Sequence, residues 1–168
     1  MRITLKTWTQ NEKAELMRIC NNMNRMYLGN KIPEPYTEKD AEWWIDMAIK
    51  NEEGNGVFRA ILCEGEYVGN ISIEKKQDVY SKDAEIGYCL LKDKISQGIM
   101  TEAVKQICDI AWRKMDIIRI TALVYQPNIA SIKVLEKNDF ILEGTMKNAV
   151  CKFDNIYDLC IYGKCRKE

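Results

Sequence analysis

The chain of 168 residues contains no histidine. That excludes Ser-His-Asp and Cys-His nucleophilic mechanisms, every histidine-ligated metal site, and the side chain that ordinarily changes charge near neutral pH. Proton chemistry is left to Glu, Asp, Tyr, Cys, Lys, Ser or water. The seven cysteines (Cys20, Cys63, Cys89, Cys108, Cys151, Cys160 and Cys165) form no C-x-x-C pair, and Cys160 with Cys165 lacks the second pair a zinc site needs. No metal is expected. Several of these cysteines lie in apolar runs and read as small core residues. No stretch approaches ~18 consecutive apolar residues and no signal peptide is recognisable, so a reduced, soluble, cytoplasmic protein is expected. Net charge is missing as well: 25 basic and 25 acidic side chains cancel, which removes any global drive toward nucleic acid or an anionic membrane. Neither is expected as a partner. The 3 prolines and 9 glycines are scattered, without repeat or linker, so residues 1–168 read as a single domain.

Apolar residues make up 46% of the chain, enough for one core, and hydropathy patterning orders the elements. Residues 3–8 alternate as a strand. Leu16, Ile19, Cys20 and Met23 recur at helical spacing, with Met26 following the same face. Thr37, with Asp40 three residues on, is an N-cap for a helix whose stripe is Ala41, Trp44, Ile45, Ala48 and Ile49. Residues 57–63 and 67–73 flank Glu64-Gly65-Glu66 as a hairpin, and 84–91 form a further strand. Residues 98–115 make the strongest helix, burying Ile99, Ala103, Ile107, Ile110 and Ala111. A strand apolar on both faces (117–125), a helix (129–137) ended by Asn138-Asp139, and strands at 148–153 and 157–163 complete the chain. The order β-α-α-β-β-β-α-β-α-β-β gives a mixed α/β sheet in which only the segment from 84 to 125 requires a parallel crossover.

The chemistry concentrates between Ala84 and Phe140. A strand (AEIGYCLL) enters a short loop containing Ser96-Gln97-Gly98, and a helix begins at once. Unsatisfied N–H groups at such a helix start favour phosphate. Neither GxxxxGK[ST] nor GxGxxG is present, and a plain strand-to-helix turn explains the loop equally well.

Taken together, these segments resemble the GNAT superfamily of acyl-CoA-dependent N-acyltransferases, and within it the RimJ/RimL-type branch. The loop Asp93, Lys94, Ile95, Ser96, Gln97, Gly98 looks like that family's Q/R-x-x-G-x-G/A motif. Thr101-Glu102-Ala103, the NxxS from Asn128 to Ser131, the EGxxxNAV from Glu143 to Val150, and Tyr157-Asp158 also match the branch. The resemblance implies an α/β (mixed α+β) fold: a central, mostly antiparallel twisted sheet, flanked by helices, with parallel strands 4 and 5 splayed. It also implies acetyl-CoA as co-substrate and an amine acceptor, either a small molecule or a peptide N-terminus. Backbone groups of Cys89, Leu90 and Leu91 would then pair with the pantetheine arm. The amides of Ile95, Ser96, Gln97, Gly98, Ile99, Met100 and Thr101 would hold the pyrophosphate, and Asn128 would bond the pantetheine amide. Asp93 and Ser96 depart from the motif, which usually has Gln or Arg and then Gly.

An attacking amine must be neutral, so a general base is needed. Glu85, in the AEI context of the resembling strand, is the candidate, against a solvated or ion-paired strand carboxylate; Glu74 is the reserve. The family's usual acid, a tyrosine, falls here on Leu135. Ser131 is the alternative hydroxyl for the departing thiolate, unless it serves as a first-turn helix cap. Tyr27, Tyr36 and Trp43 either line an acceptor cleft or pack. The expected function is direct acetyl transfer from acetyl-CoA to a primary amine in a ternary complex. A non-catalytic acyl-CoA sensor, or a nucleotide-binding α/β protein, is the alternative. Monomer and homodimer both fit, with the final strand, bearing Cys160 and Tyr162, as a possible pairing edge.

Overall fold

In the computed structural model, which describes all of residues 1–168, a seven-stranded sheet has the order β1-β2-β3-β4-β5-β7-β6. Its strands are β1 (Ile3–Thr7), β2 (Gly56–Cys63), β3 (Glu66–Lys75), β4 (Asp83–Leu90), β5 (Arg119–Tyr125), β6 (Ile141–Lys152) and β7 (Asn155–Cys165). The helices are α1 (Lys13–Asn22), α2 (Glu38–Asn51), α3 (Ile99–Lys114) and α4 (Ile129–Glu136). All neighbouring strands are antiparallel except β4 and β5. The expected element order and the mixed sheet are both present.

Local signals explain most boundaries. Thr37 accepts from the Asp40 amide while the Asp40 carboxylate accepts from the Thr37 amide, a capping box that starts α2. The β2–β3 turn uses Glu64 at φ 49° and Gly65 at φ 85°, the positive dihedrals a two-residue hairpin loop requires. Asp139, at φ 63°, turns the chain out of α4.

α1 and α2 cover one face of the sheet, where Trp44 packs edge-on against Phe58. α3 lies across the other face, burying Ile99, Ala103, Ile107 and Ala111 against Ile71, Ile73, Ile86 and Ile120. The core is one continuous cluster spanning both layers.

Four expectations need correction. Ile49 does not continue the α2 stripe; it is 54% exposed, because it sits on the flank of the helix face centred on the buried Ala41, Ile45 and Ala48. Met26 lies past the end of α1 and is also exposed, whereas Met23 is buried and bridges to Leu91. The final strand is no edge: β7 lies between β5 and β6, with Cys160 and Tyr162 buried, and β6 is the outer strand. β6 also begins at Ile141 rather than near Asn148. Two irregularities in its register and its exposure on both faces erase the alternation that would have marked it.

Ile107 is fully buried, so Ile107→Ala is expected to cost about 2–5 kcal/mol. Ile49→Ala is expected to cost less than about 0.5 kcal/mol. Urea midpoints at constant m-value check both.

Candidate active site

The site begins where a ladder stops. β4 and β5 pair only at Asp83↔Arg119, Ala84↔Ile120 and Glu85↔Thr121. β3 then holds one side of β4 as far as Leu90, and β7 holds one side of β5 as far as Tyr125, so the two strands diverge. Backbone groups of β4 beyond Glu85 that face β5 have no strand partner. Two cavities meet in this gap, sharing Tyr27, Leu28, Tyr88, Asn128 and Ser131 in their walls.

The larger cavity, about 450 Å³, lies between β4, the α3 start and α4. Of the residues expected to bind the co-substrate, Cys89, Leu90, Ile95, Ser96, Gly98, Ile99, Met100, Thr101, Asn128 and Ser131 form its wall. Leu91 and Gln97 do not. The Leu91 amide donates to the Val68 carbonyl at 2.9 Å, and the Gln97 side chain folds back to donate to the Asp93 carbonyl at 2.8 Å.

The amides of residues 95–98 donate to no group of the chain, and those of the first turn of α3 have no preceding turn to bond. Ser96 at φ 64° and Gly98 at φ 81° turn the loop so that this run of N–H groups precedes the helix dipole. Ser96 therefore holds the left-handed conformation a glycine would adopt there. Such a concave run of donors fits a pyrophosphate without needing a side-chain cation. Lys94 is tied instead to Glu66 at 2.8 Å.

Asn128 caps α4: its side-chain oxygen accepts from the Ser131 amide at 3.2 Å, leaving its side-chain N–H₂ group to donate elsewhere. The Ser131 hydroxyl takes no part in the cap. It meets the phenol of Tyr88 at 2.5 Å. Sequence reasoning assigned Tyr88 no role. The available signal was a tyrosine between Ile86 and Leu90 on a buried strand face, where a phenol needs a partner. Leu135 is fully buried and offers no polar atom.

The second cavity, about 360 Å³, opens on the α1/α2 side and includes Glu85, Gly87, Leu123, Tyr125 and Leu159. Glu85 makes no ion pair in the structure, although Lys76, engaged with Asp83 at 2.7 Å, lies nearby. The Glu85 side chain reaches solvent, yet the cleft walls displace enough water to push its carboxyl above the ordinary value. Lys76 opposes that rise, while Glu74 and Asp83 add to it. Glu74 faces Glu85 across β3–β4.

Burial pushes the Cys89 thiol up to about 11, so this cysteine in the cavity wall stays protonated near neutral pH and is a poor covalent nucleophile. Tyr27 lies in both cavity walls and forms an aromatic cluster with Tyr125 and Tyr157. Tyr36 is core, and Trp43 is 69% exposed on α2, in neither wall.

A splayed parallel pair beside a helix start with unpartnered amides defines a cleft with one anion-ready end, and comparison with known proteins gives the family. The profile described as "Acetyltransferase (GNAT) domain" matches residues 2–141, and the chain belongs to this family. It is 34% identical over 110 residues to the probable N-acetyltransferase YjcK of Bacillus subtilis (strain 168), covering 65% of this chain and 59% of that protein. It is 29% identical over 148 residues to the ribosomal-protein-serine acetyltransferase of Escherichia coli (strain K12), covering 87% and 82% of the two chains. The aligned region thus spans only 59% of YjcK's length, and 62% of that of a second Bacillus subtilis relative. Among solved structures, a RimL ribosomal-protein alpha-N-acetyltransferase in complex with coenzyme A superposes with a TM-score of 0.83 at 22% identity, covering 97% of this chain and 93% of that one. No helix is long and apolar enough to cross a membrane.

A Cβ on Gly98 would meet nothing within 4 Å, so Gly98→Ala isolates the backbone cost. The expected destabilisation is about 1–2 kcal/mol, read by chemical denaturation.

Proposed function

We propose that the chain is an acetyl-CoA-dependent N-acetyltransferase that transfers the acetyl group directly to a primary amine. The observation that carries this reading is the ladder lost beyond Glu85, which leaves one cavity on each side of a single gap. The unpartnered amides before α3 suit the pyrophosphate, the free edge of β4 suits the pantetheine arm, and the Asn128 side-chain N–H₂ group is a donor for a pantetheine amide. The acceptor amine enters from the opposite side, past Glu85 and Tyr125.

Glu85 accepts the proton that the attacking nitrogen must lose, directly or through water. The C–N bond forms, the C–S bond breaks, and the thiolate leaves with its electron pair. Protonated Cys89 offers no covalent detour, which supports a ternary complex over an acyl-enzyme. The ribosomal-protein-serine acetyltransferase relative and the RimL alpha-N-protein acetyltransferase neighbour make a peptide N-terminal amine the first acceptor class to test, with small primary amines second. Seven free cysteines suit a reducing cytoplasm.

Thermal unfolding with millimolar acetyl-CoA, CoA, ATP or NAD is the direct binding test. Acetyl-CoA and CoA at one hundred times their dissociation constants should stabilise the fold by about 2.7 kcal/mol, and ATP and NAD should not. No shift with either CoA form would overturn the reading.

A second expectation concerns pH. Glu85 works only when ionised and its carboxyl is raised, so kcat/KM should climb with pH through a value above the ordinary 4.5. Glu85→Gln should remove that limb and lower kcat about 10²–10⁴-fold with CoA binding unchanged. An unchanged kcat would remove Glu85 from the proton transfer, whereas CoA binding without turnover of any amine by wild type would assign the cleft to a binding module.

A further inference from the structure

The Tyr88 phenol and the Ser131 hydroxyl form an isolated pair in the strip of wall common to both cavities, where β4 and β5 part. Neither hydroxyl makes another hydrogen bond within the chain, and the helix cap beside them is supplied by Asn128. Two hydroxyls joined by one hydrogen bond use one of their two protons. The other must point to a third atom, and the gap is the direction left open. We propose that Tyr88 is a positioning residue that turns the Ser131 O–H into the gap, so that it donates to the sulfur of CoA as the C–S bond breaks.

The direction of the pair follows from acidity. A phenol is the stronger donor and an aliphatic hydroxyl the better acceptor, so Tyr88 donates and Ser131 accepts. Accepting that bond polarises the serine and strengthens its own donation to a developing anion. Burial pushes the Tyr88 phenol up to about 12, so it stays neutral and the arrangement holds across the working pH range. It also rules out full proton transfer, since an alkyl thiolate of ordinary basicity, roughly 8.5, cannot deprotonate such a pair. The balance is therefore simple. The nitrogen's proton goes to Glu85, the thiolate leaves hydrogen-bonded to Ser131, and water protonates the thiolate afterwards. Tyr88 thus supports a donor for the thiolate that Leu135, on the same helix, is chemically unable to provide. The inference rests on the acetyl-CoA reading above, because it names the sulfur as the third atom.

The test is chosen to stand apart from turnover. CoA carrying ¹³C at the carbon bonded to sulfur is bound to the protein, and its chemical shift is followed with pH in wild type, Tyr88→Phe, Ser131→Ala and the double variant. A donor to the thiolate favours the ionised form. Ser131→Ala should therefore lower the bound thiol's ionisation constant about tenfold or more, and Tyr88→Phe by a smaller factor of about three to ten. The double variant should match Ser131→Ala, because Tyr88 acts only through the serine. In acetyl transfer, the same order should appear in kcat with the KM for acetyl-CoA unchanged, and Ser131→Thr should restore most of the loss. An unchanged ionisation constant in Tyr88→Phe, or losses that multiply in the double variant, overturns the inference while leaving the acetyltransferase reading intact. Failure of wild type to bind the labelled CoA overturns both.

Discussion

Backbone hydrogen bonding between β4 and β5 ends after Glu85↔Thr121, and the rest of the site is a consequence of that ending. Each strand remains fully held on its far side, β4 by β3 and β5 by β7, so the divergence cannot be relieved by either strand drifting back. The start of α3, with Ile99 and Met100 buried, lines the cavity beside the gap. Polar backbone left unpaired in a protein interior is costly unless water or a ligand serves it. Under the proposed function an extended, polar-backboned molecule serves these groups, and side chains from both faces of the sheet converge on the gap. Glu85 comes from the α1/α2 face and Tyr88 with Ser131 from the other.

The electrostatics of this protein are local. With formal charges cancelling, the anion site is built from partial charges: a run of unpartnered amides, two residues at positive φ, and the α3 dipole. Lys94, in the loop itself, is engaged with Glu66. Burial sets the remaining chemistry. It keeps Cys89 and Tyr88 neutral, and it raises Glu85 toward the range in which a carboxylate accepts a proton usefully. Without histidine, desolvation of a glutamate is the available route to a base of that strength.

Much of the fold was legible in the chain because its signals are short-range. The Thr37–Asp40 cap, the Glu64-Gly65 turn, the apolar stripe of α3 and the two-sided apolar strand β5 each reflect periodicity or dihedral preference within a few residues. Where such signals were weak, reading failed in specific ways. β6 is an outer strand, exposed and irregular in register, so half of it carried no pattern. Ile49 belongs to a helical stripe by spacing, but it lies on the flank of the face that is buried and stays exposed.

The site divides along the same line. The sequence by itself determined the loop before α3 with its glycine, and it singled out Glu85, Asn128 and Ser131, since these follow from chain-local geometry and from motif resemblance. Only the tertiary structure decided that Leu91 is tied to Val68, that Gln97 folds onto its own loop, and that Ser131 is released from capping to meet a tyrosine far away in sequence. The Tyr88–Ser131 contact joins β4 to α4 beside the opening between β4 and β5. No periodicity encodes such a distance, because it is set by how the sheet twists and where its hydrogen bonding stops.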